Sequence, residues 1–155
     1  MADRRGDVSG RAAPAISGKA LTAEDRRLIE AACVLIRARY VENRHHIAAA
    51  LRTKSGKIHT CLHLDTYVGR ASVCAEAVAV GTAMAAGDRD IAAIVSVRHP
   101  RPREANQTIQ VVSPCGICRE MLADFAPDCR VIVPKDGALV VVAPLELLPN
   151  KYFRM

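Results

Sequence analysis

Two short cysteine motifs constrain this chain more than any other feature. Cys74-Ala75-Glu76 and Pro114-Cys115-Gly116-Ile117-Cys118 lie far apart in sequence, and each opens an apolar run after a polar or extended stretch. A Cys-x-x-Cys pair at a helix start puts two sulfurs one turn apart, within reach of a single ion. Two thiolates do not close a tetrahedral site, and Cys74 can be the third. Three protein ligands with one open position is the arrangement of a catalytic zinc. A fold that uses both motifs must therefore bring two helix N-termini together, where the dipole and the free amides favour thiolates.

Glu76 sharpens the pattern. It stands two residues after Cys74, too close to be expected as a second ligand on the same face. It can instead face the open position, take a proton from bound water and return it elsewhere, as the non-ligand glutamate of zinc deaminases does. Two other readings stay open. Cys61 or Cys129 could supply the fourth ligand of a structural zinc site, or the Cys-x-x-Cys could be a redox pair. Glu76 at its offset and Pro114 before Cys115 favour the catalytic reading. Cys33, Cys61 and Cys129 otherwise read as small buried hydrophobes.

The chain has 155 residues, which predicts one domain. Half the residues are hydrophobic but only 3% are aromatic. The core must be built from Ala, Val, Leu and Ile, through close approach of helices and strands. The formal charge is +6, and Arg4, Arg5, Arg11 and Lys19 place part of it at the start. The rest is scattered, without the patch or stripe of a nucleic-acid binder, so no nucleic-acid partner is expected. The apolar stretch Ala75 to Ala86 is too short to span a bilayer, and no membrane partner is expected. The polar, proline-broken start lacks the apolar core of a signal peptide. Residues 1–20 read as a disordered tail and residues 21–155 as the domain. The expected location is the cytoplasm, where six cysteines suit metal or catalytic roles better than disulfides.

Thr22 can cap a helix running to about Val41, with Asp25 completing a capping box and Leu28, Ile29, Ala32, Leu35, Ile36 and Tyr40 at helical spacing. His45 to Thr53 and Ile58 to Leu64 read as a hairpin turning through Lys54-Ser55-Gly56-Lys57. Cys74 to Ala86 reads as a buried helix ended by Gly87. Ile91 to Val97 is an apolar strand covered on both faces, and Thr108 to Val112 a short strand leading to Pro114. Cys115 to Ala126 is a second buried helix. Arg130 to Val133 and Leu139 to Val142 are strands, and Pro144 to Leu148 one helical turn. The class is a three-layer α/β domain.

With these motifs in place, the sequence resembles the cytidine deaminase superfamily. The match rests on Val73-Cys74-Ala75-Glu76, on Ser113-Pro114-Cys115-Gly116-Ile117-Cys118-Arg119, on Ile47 to Leu51 and on Leu147-Leu148-Pro149. Within the superfamily it is most similar to the bacterial blasticidin-S deaminase branch, through Asn43-Arg44-His45-His46, Arg98-His99-Pro100 and Ala126-Pro127-Asp128-Cys129. The resemblance implies a three-layer α/β/α fold with a mixed five-stranded sheet and zinc on Cys74, Cys115 and Cys118. It implies Glu76 as the acid/base group and substrate contacts from His45, His63, Asp65, Tyr152 and the backbone of Ala75. It also implies a homotetramer.

The implied reaction is hydrolytic removal of the amine at C4 of a free aminopyrimidine nucleoside by zinc-bound hydroxide, with ammonia released. Blasticidin S or a similar nucleoside leads, and cytidine or deoxycytidine salvage is the alternative; a structural-zinc binding protein is the reading from another class. Four positions depart from ordinary cytidine deaminases. His63 and Asp65 stand for an Asn-x-Glu pair that holds the ribose, His45 for a Phe, and Ala77 for an Arg that offsets thiolate charge. A ring with a more polar or more highly charged appendage fits these changes.

Overall fold

The computed structural model describes residues 18–153. The tail expected at residues 1–20 falls outside them up to residue 17; Lys19 forms an antiparallel bridge with Val141. Thr22 stops the extended backbone. Its hydroxyl accepts from the Asp25 amide at 3.2 Å, and the Asp25 carboxylate accepts from the Thr22 amide at 2.8 Å. This closed capping box satisfies two otherwise free amides and starts helix α1, Ala23–Arg39. Leu28, Ala32 and Ile36 recur every four residues and are fully buried, so one stripe of α1 faces the sheet.

The sheet takes helices on both faces. Strand β1 (Ile47–Thr53) shows why, because neighbouring side chains point to opposite sides. Ala48 and Ala50 pack with α1, and Ala49 and Leu51 pack in the other core layer. Both alternate sets are apolar, which is the pattern of a strand with no solvent face. Strand β3 (Ile91–Arg98) and strand β5 (Arg130–Lys135) repeat it. Helices α2 (Ala75–Ala85) and α3 (Gly116–Phe125) cover the second face. Ala75, Ala79 and Ala83 make the buried stripe of α2, and their small size lets the helix lie close to the sheet.

The order is β2-β1-β3-β5-β6, with β2 at Ile58–Leu62 and β6 at Ala138–Val142. The β3–β5 pair is parallel and the other pairs are antiparallel. The sheet is mixed, as expected, but among the described residues it has six strands and not five. The addition is the short β4, Gln110–Val112, which pairs antiparallel with Ser96–Arg98. β1 occupies one edge of β3, and β5 uses only Ala93–Val95 of the other. The remaining edge would be left unpaired, and β4 fills it before leading into Pro114.

Two expected strand ends move inward. His45 returns its amide to the Val41 carbonyl at 2.8 Å, in a turn where Asn43 has φ 60°. β1 therefore begins at Ile47. β2 ends at Leu62 because Leu64 pairs with Val73 and the Asp65 amide bonds the Arg44 carbonyl. The Leu64–Val73 bridge sets the approach to Cys74. Gly87, at φ 81°, closes α2 in the left-handed conformation that glycine adopts without strain. Among the described residues no helix is long and apolar enough to cross a membrane.

Candidate active site

Cys74 and Cys115 are the N-cap residues of α2 and α3, and Cys118 lies in the first turn of α3. The three sulfurs lie within 4.8 Å of one another, and the Cys74 and Cys115 sulfurs are 3.6 Å apart. A disulfide needs ~2.05 Å. Two sulfurs each ~2.3 Å from one tetrahedral ion stand about 3.8 Å apart. The donor set therefore fits zinc and leaves one coordination position for a non-protein ligand. Cys61 and Cys129 do not join it: the Cys61 thiol donates to the Thr82 hydroxyl at 3.6 Å, and Cys129 is 1% exposed in the core.

The electrostatics explain why a dication suits this place. Burial pushes the Cys118 thiol far above its ordinary range, with the Glu76 carboxylate and the two neighbouring sulfurs adding to the rise. Burial also raises Cys74, helped by its contact with Cys115. At Cys115 burial acts in the same direction but is outweighed by hydrogen bonds, including the backbone amides of Cys118 and Ile117, and the thiol falls below its usual value. The free amides of α3 thus carry part of the thiolate charge where Ala77 offers none. A bound dication reverses the balance for the other two sulfurs.

The sequence position of Arg119 says nothing about its reach. Its Nε donates to the Pro114 carbonyl at 2.9 Å and its Nη1 to the Leu147 carbonyl at 3.1 Å. It ties the loop before Cys115 to the helical turn Pro144–Leu147. That explains why Leu147 and the second cysteine motif belong to one pattern.

Glu76 is 6% exposed and lines a cavity of about 140 Å³ with Ala75, Cys74, Cys115, His63 and Ile47. The carboxylate and two of the three sulfur-bearing residues thus border one space. Ala75 is fully buried on its wall. His63 is 7% exposed and also lines the cavity. His45 is not on the wall; its Nδ1 donates to the His63 carbonyl at 2.8 Å. Asp65 lines a neighbouring depression with Glu42, Arg44 and Tyr67, and its carboxylate accepts from the Ser72 hydroxyl at 3.2 Å. Tyr152 is 78% exposed beside Lys151 and Phe153, away from the cavity. A single chain brings Glu76, the cysteines, Ala75 and His63 together, sets His45 and Asp65 beside them, and leaves Tyr152 apart.

Residues 22–134 match the family described as the cytidine and deoxycytidylate deaminase zinc-binding region. The chain belongs to this family, and its class is that of the hydrolytic nucleoside deaminases. Among curated proteins it is 46% identical over 134 residues to the blasticidin-S deaminase of Bacillus cereus, covering 86% of this chain and 96% of that protein. It is 30% identical over 112 residues to the cytidine deaminase of Halalkalibacterium halodurans, covering 71% and 79%. The fold is similar to the crystal structure of cytidine deaminase from Burkholderia pseudomallei, with TM-score 0.67, 28% identity and coverage of 85% of this chain and 100% of that one. The cytidine deaminase structure from Bacillus anthracis gives TM-score 0.69 at 25% identity, covering 82% and 88%.

Proposed function

We propose that this chain deaminates a free cytosine nucleoside hydrolytically, with blasticidin S preferred over cytidine. The observation that carries the reading is the shared cavity, in which the Glu76 carboxylate borders the same space as Cys74 and Cys115. Cys74, Cys115 and Cys118 would hold a zinc ion, which would supply a water molecule made nucleophilic at neutral pH. Glu76 accepts the proton released from that water and passes it to the ring nitrogen beside C4. It then protonates the departing amine. Water adds to C4, ammonia leaves, and the ring gains a carbonyl. One carboxylate acts first as base and then as acid. The Ala75 backbone and the His63 ring border the substrate's path.

The 46% identity to a blasticidin-S deaminase supports the substrate preference, as do His63 and Asp65 in place of a ribose-holding pair. The cytidine alternative draws on the cytidine deaminase relative. We further propose a cytoplasmic homotetramer in which His45, Asp65 and a neighbouring subunit's copy of Tyr152 complete the substrate contacts. The exposed Tyr152, Phe153, Phe125 and Ile117 supply apolar surface for such an assembly. The test is ammonia release by zinc-loaded protein from blasticidin S, cytidine and deoxycytidine. Blasticidin S should show the highest kcat/KM. A clear preference for cytidine replaces the substrate by the salvage alternative, and no release from any of the three sinks the nucleoside reading.

A further inference from the structure

Ser96 puts a hydroxyl where the strand pattern calls for an apolar side chain. It stands two residues after Ile94 on β3, so the two side chains share a face. Ile94 belongs to the core layer covered by α2 and α3. The register agrees: Ser96 lies opposite Ala49 of β1 and opposite Val112 of β4. Ala49 packs in that same layer, and Val112 lines the cavity that Glu76 borders. Ser96 is 3% exposed, and its hydroxyl has no hydrogen-bond partner among the described residues. A buried hydroxyl with nothing to meet is costly, and an alanine at this place would avoid the cost.

The surroundings of the hydroxyl narrow its use. Ser96 and Glu76 line one narrow gap, and Ile94, Val95, Pro114, Leu122, Val131 and Ile132 surround the rest of it. The gap has no room for a water molecule, so water inside it does not serve the hydroxyl. None of those six side chains carries an acceptor. The Pro114 carbonyl already accepts from Arg119 at 2.9 Å. Glu76 is the side chain at this gap that can accept, and it lines the cavity with Cys74 and Cys115 as well.

We propose that Ser96 is a positioning residue for Glu76, its hydroxyl donating to one carboxylate oxygen in the gap and leaving the other to the cavity. The hydroxyl is unbonded in the structure, and rotation of the two side chains closes the contact. A carboxylate has acceptor sites to spare, so the bond takes nothing that proton transfer needs. A glutamate without an anchor spreads over several rotamers, and only some of them present an oxygen to the cavity. Holding one of them is an orientation effect on turnover, not on substrate affinity. The role in turnover rests on the nucleoside reading; the contact between Ser96 and Glu76 does not.

Two measurements test it. The first is steady-state kinetics of zinc-loaded variants. Ser96→Ala, which cannot overpack the gap, should lower kcat ~10-fold with KM and zinc content unchanged, because a hydrogen bond to a charged group is lost and the substrate is not touched. The fall should be the same on blasticidin S and on cytidine. Thr and Val have nearly one shape, and only Thr keeps the donor, so comparing them separates the hydroxyl from packing. Ser96→Thr should hold a kcat ~10-fold above that of Ser96→Val. Parental kcat in Ser96→Ala, a loss confined to KM, or equal kcat in the Thr and Val variants overturns the proposal.

The second measurement is a double-mutant cycle read by thermal melting, which needs no turnover. Ser96→Ala in the parent should lower melting by ~2–4 °C, the size of one net hydrogen bond in a domain of this length. Glu76→Met keeps a side chain of similar length without an oxygen. In that background Ser96→Ala should leave melting unchanged or raise it, because it then removes an unmet hydroxyl. Equal shifts in the two backgrounds would show that the groups do not interact, and the proposal falls. A parent that releases ammonia from no nucleoside sinks the substrate reading alone, and the melting cycle still decides the contact.

Discussion

Glu76 and the three cysteines share a space but differ in what substitution should remove. The sulfurs close on one another from two helix starts, so each of them would help hold a bound metal and the junction together. Glu76 borders the cavity without belonging to that set. Glu76→Gln should therefore retain zinc, fold and substrate affinity, because Gln is nearly isosteric and still forms hydrogen bonds. It cannot accept or return a proton at neutral pH. General acid–base catalysis is worth typically ~10²–10⁴-fold, and in the proposed reaction one group handles both transfers, so turnover should fall by ~10⁴-fold or more. Turnover and zinc content measured on one preparation check this. Zinc lost with activity would recast Glu76 as support for the metal; activity within a few-fold of the parent would remove it from the mechanism.

At the scale of elements, the capping box is the part that sequence spacing reveals in full, because Thr22 and Asp25 act within one turn. What spacing does not reveal is the second use of the same carboxylate. Asp25 is fully buried and also accepts from Arg130 at the start of β5, with Nε to Oδ1 at 3.3 Å. Local patterns cannot announce a pair so distant along the chain. The seat of the His63 ring is hidden for the same reason: its Nδ1 accepts from the His46 and Ile47 amides, and where β1 starts is decided by the turn at Val41–His45. The cysteines and Glu76 were legible because coordination chemistry restricts residue type and spacing together. His45, Asp65 and Tyr152 were named by resemblance alone, and a single chain places them beside or away from the cavity.

The Asp25 pair has a measurable consequence. Burial alone would raise its carboxyl pKa, but hydrogen bonds from Arg130 and Thr22 outweigh that and hold it below the ordinary value. A depressed carboxyl stabilises the fold fully above its unfolded pKa of ~3.9. The contribution disappears as pH falls through the lower folded value. Asp25→Ala breaks both the cap and the pair and should cost about 3 kcal/mol near neutral pH. Thermal melting of parent and variant between neutral pH and about pH 2 should show the gap narrowing as the acid range is entered. A gap that stays constant to the lowest pH would show that the charge of Asp25 contributes nothing.

The whole molecule joins two aliphatic layers across one sheet, and the helix starts of α2 and α3 bring Cys74, Cys115 and Cys118 together at one end. Cys74 and Cys115 each open a helix there, so metal removal should be felt as stability and not only as lost turnover. A cation present at ~1,000 times its dissociation constant contributes about 4 kcal/mol, which in a domain of this size is worth ~8–16 °C of melting temperature. Chelation should lower melting by that order, and added zinc should restore it. The cysteines give an independent reading of the same event. Cys115 is exposed and its thiol is held below the usual range. Cys129, in the core, is pushed up to about 12 by burial. Cys33 is raised the same way. In zinc-loaded protein an alkylating reagent should therefore leave Cys115 largely unmodified, and after chelation Cys115 should react first, with Cys33 and Cys129 still protected. Peptide mapping of the alkylated protein identifies the order. If Cys115 reacts at one rate before and after chelation, and melting does not move, the metal is not held where the two helices begin.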